Sequence, residues 1–274
     1  MTDVPTRLPY TDLASIYDRV YAWKDYRREA RSVDRLIRRF GPKGARTLLD
    51  VACGTGSHLR FLASRYTSTG LDASAPMLRV ARGRVPSAKF VLGRMPRFDL
   101  GVRFDAITCL FSAIGYVRTP RALRATLRTF ARHLVPEGVV IIEPWLTPAM
   151  WHPGSVHLST VSSETVPIAR MNDSRTVRGR SVLEMHYLVP IRGAIRHWTE
   201  RHDLGLFSPA EMIRAFRDAG FEVRRIPSGF YGPGHTDRGL YMGRLRPENR
   251  ARLGPRPRGR RGSSARPRRG KGGH

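Results

Sequence analysis

The chain has 274 residues, 41% of them hydrophobic, and a formal net charge of +27; that length and apolar share allow one sizeable core with an accessory subdomain. No apolar run approaches the roughly 20 residues that span a bilayer, and the N-terminus lacks the apolar segment of a signal peptide, so a soluble, cytoplasmic protein is expected. Cys53 and Cys109, the two cysteines, offer neither a metal-ligand spacing nor a disulfide framework and read as small buried residues.

The charge needs locating before it is interpreted. From Arg244 to His274 the chain carries twelve basic residues against one acidic and almost nothing apolar, so a disordered arginine-rich tail is expected over 244–274. Arginine outnumbers lysine 45 to 4, a bias that a GC-rich genome would give by itself. Nucleic acid is therefore disfavoured as a partner, and a mildly basic surface suited to an anionic substrate remains.

In chain order, residues 1–40 read as a helical cap, with Ile16, Tyr17, Val20, Tyr21, Trp23 and Tyr26 at helical spacing. A strand over 47–51 follows, then a helix over 57–65, a strand over 67–71, a helix over 74–83 and a strand over 88–92. Next come a strand over 104–110, a helix over 119–133 and a strand over 138–143. Strands separated by helices imply a parallel sheet with right-handed crossovers. Between Trp145 and Leu206 the pattern changes to period two, in Val182–Val189 and Ala194–Leu204, which predicts an antiparallel subdomain inserted over 146–204. The core resumes at 205–243: Ser208 caps a helix that Gly220 stops, and 221–226 with 239–245 read as a final strand pair. Ligands of open α/β sheets bind outside the carboxyl ends of the strands, and the insertion leaves the fifth strand at that edge, placed to cover an acceptor.

The most informative stretch is Leu48-Leu49-Asp50-Val51-Ala52-Cys53-Gly54-Thr55-Gly56-Ser57-His58-Leu59. An apolar strand ends in a glycine turn that opens a helix, where main chain can approach a nucleoside-bearing cofactor closely. A dinucleotide fingerprint would need a third glycine where Leu59 stands. The run instead resembles motif I of class I S-adenosylmethionine-dependent methyltransferases, and Asp72, ending the second strand, suits the two ribose hydroxyls. Asp50, Ala52, Gly54, Thr55 and Gly56 are cofactor-binding candidates on the turn. Asp72, Met77, Met95 and Leu110 complete the set.

Further along stand Phe111-Ser112-Ala113-Ile114-Gly115-Tyr116, Glu143-Pro144-Trp145 and Arg201-His202-Asp203-Leu204-Gly205-Leu206-Phe207. With Tyr17-Asp18 and Lys24-Asp25-Tyr26, these resemble the bacterial sugar N,N-dimethyltransferases that act on dTDP-linked amino-deoxyhexoses, the desosamine and mycaminose type, over about residues 10–243. The resemblance implies a class I methyltransferase sheet of order 3-2-1-4-5-7-6, S-adenosylmethionine as cofactor, a nucleotide-linked amino sugar as substrate, and a homodimer. There are two departures. The usual G-D-M after the third strand is here Gly93-Arg94-Met95, and Arg94 accepts no hydrogen bond, so adenine recognition rests on backbone, on Met95 or on another acceptor. The usual P-G-G is Pro136-Glu137-Gly138.

An ammonium has no lone pair, so N-methylation needs a nearby proton acceptor more than a strong base. Tyr17, Tyr116 and His202 are the catalytic candidates, each with packing as its structural alternative. His133 reads as structural. The resemblance implies that Arg238, at a position expected to face the pyrophosphate in such enzymes, binds the substrate diphosphate, and Trp145 reads as a sugar-pocket wall or as subdomain core. Arg170, Arg175, Arg178 and Arg180 read as a solvated charge run. Another small-molecule acceptor, an RNA held by the tail, and a non-catalytic cofactor scaffold stay open at this point.

Overall fold

The computed structural model describes residues 10–161, 167–191, 193–230 and 238–247; most of the expected tail lies outside them. Two helices come first, α1 (Tyr10–Val20) and α2 (Tyr26–Phe40). The Asp25 side chain caps α2 by accepting from Arg28 N at 2.9 Å, satisfying one of the donors that a helix start leaves over. Then β1 (Thr47–Val51), α3 (Leu59–Leu62), β2 (Thr67–Asp72), α4 (Ala75–Arg84), β3 (Lys89–Leu92), β4 (Phe104–Cys109), α5 (Pro120–Arg132) and β5 (Leu134–Ile142) alternate. The helix after the glycine turn is shorter than the expected 57–65, and β5 starts four residues before the expected 138.

Between β5 and the last helix lie β6 (His157–Val161), β7 (Ile168–Val177), β8 (Arg180–Ile191) and β9 (Ala194–Gly205); the chain closes with α6 (Pro209–Asp218), β10 (Phe221–Ile226) and β11 (Leu240–Leu245). The seven-stranded sheet has the order β10-β11-β5-β4-β1-β2-β3, with β11 antiparallel to β5 and the strands from β5 to β3 parallel. This is the class I methyltransferase order. The other four strands make a separate antiparallel sheet, β6-β7-β8-β9. Period-two reading found β8 and β9 and missed β6 and β7.

Alternation within each parallel strand explains its continuous apolar character. Leu48 packs with Val33 and Ile37 of α2 and Leu78 of α4 on one face of the sheet; Leu49 packs with Leu127 and Phe130 of α5 and Phe216 of α6 on the other. Ser208 and Glu211 form a capping box at α6, and Gly220, at φ 89°, ends it as expected. Glu137, where a glycine is usual, takes φ 64° and pairs with Arg244 of β11 at 2.6 Å. The inner face of the four-stranded sheet, with Ile168, Tyr187, Val189 and Trp198, packs against Ile16 and Val20 of α1. The helical cap and the insertion therefore meet above the carboxyl edge of the larger sheet.

Candidate active site

The turn after β1 is bent by Ala52 (φ 59°), Gly54 (φ 55°) and Gly56 (φ 77°). A Cβ on Gly54 would meet nothing within 4 Å, so its side of the turn is open, whereas one on Gly56 would lie 3.3 Å from Ala81 Cβ of α4. The first glycine leaves room for a ligand, and the second lets the turn touch α4. Asp72 ties the two together: its Oδ2 accepts from Gly54 N and its Oδ1 from Ser74 N, each at 2.8 Å. Burial pushes this carboxyl up, and the backbone N–H groups of Gly54, Ser74 and Ala73 pull it back. Met77 and Leu110 are buried, and Met95 packs half-buried against the core with its Sδ 3.8 Å from Cys109 Sγ. Arg94 is exposed.

Two of the candidates also hold the protein together. Asp50 is wholly inside the sheet, its Oδ1 accepting Thr108 Oγ1 at 2.7 Å, and burial pushes its carboxyl up to about 6. It is a strut between β1 and β4. The Thr55 hydroxyl is buried against the cap, donating to Asp18 Oδ1 at 2.7 Å and accepting from Arg84 Nη1 at 2.8 Å. Arg84 also pairs with Asp18 and donates to Ser57 Oγ. The turn is thus fastened to α1 and α4 by a polar knot. Beside it, Glu29 is fully buried between Lys24 Nζ (2.5 Å) and His58 Nε2 (2.7 Å); burial raises its carboxyl, but those two partners outweigh burial and hold it below the usual range. The Tyr26 hydroxyl, on a ring packed edge-on against His58, is buried with no hydrogen-bond partner.

Those features fit a nucleoside-sulfonium cofactor. A carboxylate ends β2 with lone pairs to spare for ribose hydroxyls, the Gly54 side of the turn is open, and an unsatisfied buried hydroxyl waits near the turn for a polar tail group. Buried polar atoms without partners are rare in folded proteins.

The acceptor side is built on the segment after β4. Phe111 (φ 51°) and Ser112 (φ 62°) both take left-handed backbone, which is strained for residues with a Cβ. They are held there from Glu143-Pro144: Phe111 N donates to Glu143 Oε2 at 2.6 Å and Ser112 Oγ to Pro144 O at 3.0 Å. A Cβ on Gly115 would sit 3.2 Å from Cβ of both Leu204 and Trp145, and one on Gly205 2.9 Å from the Arg118 backbone. β9 therefore seats directly on this segment. Trp145 Nε1 donates to Ser181 Oγ of β8 at 2.8 Å. The Arg238 guanidinium lies 5.6 Å from the Trp145 ring centroid, with Nη1 3.4 Å from Ser112 Oγ.

Aromatic rings line the remaining wall. Tyr17 packs on Tyr21 with centroids 4.7 Å apart, and Tyr21 meets Phe111 edge-on at 4.9 Å. Burial raises both phenols. Tyr116 Oη lies 2.5 Å from His202 Nδ1, and His202 Nε2 lies 3.3 Å from Glu200 Oε2. The structure thus brings Tyr17, Tyr116, His202, Trp145 and Arg238 to one edge of the sheet. His133 stands apart, its Nδ1 bonded to Thr129 O and its Nε2 accepting from Leu100 N. The arginine run divides. Arg175 pairs with Glu184 and Arg178 is exposed, but Arg180 pairs with Asp203, and half-buried Arg170 lies 5.7 Å from the Tyr21 ring centroid. Sequence reasoning missed Glu200, although its place two residues before His202 in an alternating strand put it on the same face. Among the described residues, no group of His, Cys, Asp and Glu could hold a metal ion, and no helix is long and apolar enough to cross a membrane.

A methyltransferase domain model matches residues 48–138. The chain is 44% identical over 237 residues, 85% of its length, to the dTDP-3-amino-3,6-dideoxy-alpha-D-glucopyranose N,N-dimethyltransferase of Streptomyces fradiae, covering 90% of that protein. It is 38% identical to the dTDP-3-amino-3,4,6-trideoxy-alpha-D-glucopyranose N,N-dimethyltransferase of Streptomyces venezuelae, covering 85% of this chain and 97% of the other. Among solved structures it resembles Streptomyces venezuelae DesVI (36% identity, TM-score 0.78, 88% of this chain and 99% of that one). It also resembles S-adenosylmethionine-bound CalS10, an amino pentose methyltransferase from Micromonospora echinaspora (33% identity, TM-score 0.74, 88% and 99%).

Proposed function

Because this chain belongs to the sugar N,N-dimethyltransferases, we propose that it methylates, once or twice, the amine of a dTDP-linked amino-dideoxyhexose in antibiotic sugar biosynthesis. The observation that carries the reading is the meeting, at one sheet edge, of the Asp72 turn with an aromatic and histidine wall and an arginine suited to phosphate. S-adenosylmethionine, when bound, supplies a methyl group already activated by a sulfonium. Asp72 would hold its ribose, the Gly54 side of the turn would let it approach, Met77, Met95 and Leu110 would enclose its base, and the Tyr26 hydroxyl would meet its polar tail. With Arg94 exposed, Met95 and backbone carry adenine recognition.

The other residues act on the acceptor. Arg238, fixed between Trp145 and Ser112, offers planar donors to the diphosphate. Tyr17, Tyr21 and Phe111 exclude water from the reacting amine, which must be held in line and without its extra proton. Tyr17, Tyr116 and His202 are the groups able to take that proton. The insertion over 146–204 selects the sugar. A homodimer and a cytoplasmic site belong to the same reading. The dimer is supported by the outer face of the four-stranded sheet, where Leu158, Met171, Leu188 and Ile195 are exposed on one side; the location is supported by two cysteines that are unbridged thiols.

The test is a mass-spectrometric assay of purified protein with S-adenosylmethionine and a panel of dTDP-3-amino and dTDP-4-amino deoxyhexoses. It is run on the full chain and on one cut after Pro247, since β11 runs to Leu245. Product with one or two added methyl groups, equal for both forms and made by a species near twice the 31.0 kDa chain mass, is expected. Absence of product from every sugar, with cofactor binding intact, would refute the substrate assignment.

A further inference from the structure

Tyr116, His202 and Glu200 form a line running from an exposed phenol to an enclosed carboxylate. Tyr116 comes from the segment after β4. Glu200 and His202, two apart on β9, share the face of the four-stranded sheet that looks toward the cap. Tyr116 is 43% exposed, whereas the side chains of His202 and Glu200 are 13% and 17% exposed. The phenol thus meets what enters, with the ring and the carboxylate enclosed behind it. Tyr187 of β8 donates to the same Glu200 Oε2 at 3.3 Å, Arg170 of β7 lends its positive charge, and Tyr17 of α1 and Tyr21 just after it lie close enough to feel the carboxylate. Burial works to raise Glu200, but His202, Tyr187 and Arg170 outweigh it and keep the carboxyl below its usual range.

Buried Nε2 has no hydrogen-bond partner of good geometry, but the ionised carboxylate 3.3 Å away favours a hydrogen on that nitrogen by its charge, which leaves Nδ1 as the acceptor for the Tyr116 hydroxyl. Donating its hydrogen to Nδ1 leaves the Tyr116 oxygen an acceptor. Resting on the N-methyl transfer reading above, we infer that these three residues are a proton relay in which Tyr116 meets the substrate's ammonium, His202 receives the proton, and Glu200 is the positioning residue that fixes the imidazole.

The step balances without a co-reactant. One N–H bond of the ammonium breaks and its proton forms an O–H bond on Tyr116, while the original Tyr116 O–H breaks and its proton joins His202 Nδ1. The products are a neutral amine with its lone pair, a neutral phenol, and an imidazolium lying against the Glu200 carboxylate. The ring later returns the proton to water. A phenol alone, un-ionised near pH 7 because its ordinary pKa is about 10, cannot keep an added proton unless it passes its own on, and His202 alone lies behind Tyr116. The relay also serves a second round, because the first methylation yields an alkylammonium that must lose a proton again.

The test is the pH dependence of kcat at saturating cofactor and dTDP-amino sugar for wild type, Glu200→Gln, Tyr116→Phe and the double variant. With the relay broken, only amine already free in solution turns over. Each single variant should lose at least about tenfold in kcat near pH 7 and recover about tenfold per pH unit until it nears wild type. The double variant should be no worse than either single one, because the residues act as a unit. KM for S-adenosylmethionine should stay within about twofold. A loss of the same factor at every pH, or effects that multiply in the double variant, would overturn the relay. If Glu200→Gln fails to fold by circular dichroism, Tyr116→Phe, at an exposed position, decides alone by the same profile. A wild type that methylates no sugar at any pH would refute the substrate reading instead, a result visible before any profile is compared.

Discussion

Replacing Asp72 by alanine tests the cofactor side most directly. Its two oxygens accept Gly54 N and Ser74 N, each at 2.8 Å, and two ribose hydroxyls would add two more bonds to the same carboxylate. Hydrogen bonds to a charged group are worth about 1.5–3 kcal/mol each, so losing both ribose bonds removes about 3–6 kcal/mol of cofactor binding. That is a weakening of roughly 10²- to 10⁴-fold. Calorimetric titration with S-adenosylmethionine and its demethylated product reads this number. The stranded Gly54 and Ser74 amides should also lower stability, by about 1–3 kcal/mol each, and the thermal shift that cofactor gives wild type should vanish. Asp72→Asn sharpens the test, because an amide has one oxygen for two backbone donors. A folded Asp72→Ala protein whose cofactor Kd stays within about threefold of wild type would refute the ribose assignment, since no bonds of this strength could then have been lost.

Arg238→Ala should raise KM for the sugar nucleotide by at least about tenfold and leave KM for the cofactor unchanged, with Arg238→Lys in between because a point charge cannot make a planar bidentate contact; equal effects on both KM values would count against a diphosphate role. Asp50 gives a pH prediction. Its folded carboxyl is pushed up to about 6, above the unfolded value of about 3.9, so its contribution to stability is fully present below about pH 4 and is lost as pH rises through about 6. The difference is worth about 3 kcal/mol. Asp50→Asn, which can still accept from Thr108, should match wild type near pH 4 and exceed it by up to about that amount near pH 8 in urea unfolding. A variant that loses ground to wild type as pH rises would contradict the argument.

The larger sheet was legible because its signals are local. Motif I, the β-α alternation and the Ser208 cap each lie within a few residues, and all of them appear in the structure. The four-stranded sheet was half legible: β8 and β9 alternate cleanly, whereas the exposed β6 has little apolar residue to place. Arg170 misled because a charge run looks solvated, and nothing nearby in sequence announces that α1 brings the Tyr21 ring to it. Thr55 and Asp50 were assigned to the cofactor from the motif, and the bonds they also make, to Asp18 and Thr108, reach 37 and 58 residues away. Contacts of that span follow from the packed fold and are invisible to periodicity. Arg238 is placed in the structure, but the residues just before it, 231–237, lie outside the described set.

Gly115 and Gly205 bear on how such an enzyme could be re-engineered. At both places the insertion's last strand touches the segment after β4 closely: an added carbon would collide with backbone at Gly205 and would crowd its neighbours at Gly115, and Trp145 is hydrogen-bonded across to β8. Residues 146–204 are therefore not a detachable specificity cassette. A chimera given a different insertion would have to import the 111–118 segment with it. Otherwise the phenol of Tyr116 and its histidine partner would be supplied by two scaffolds that no longer agree on where the amine should stand.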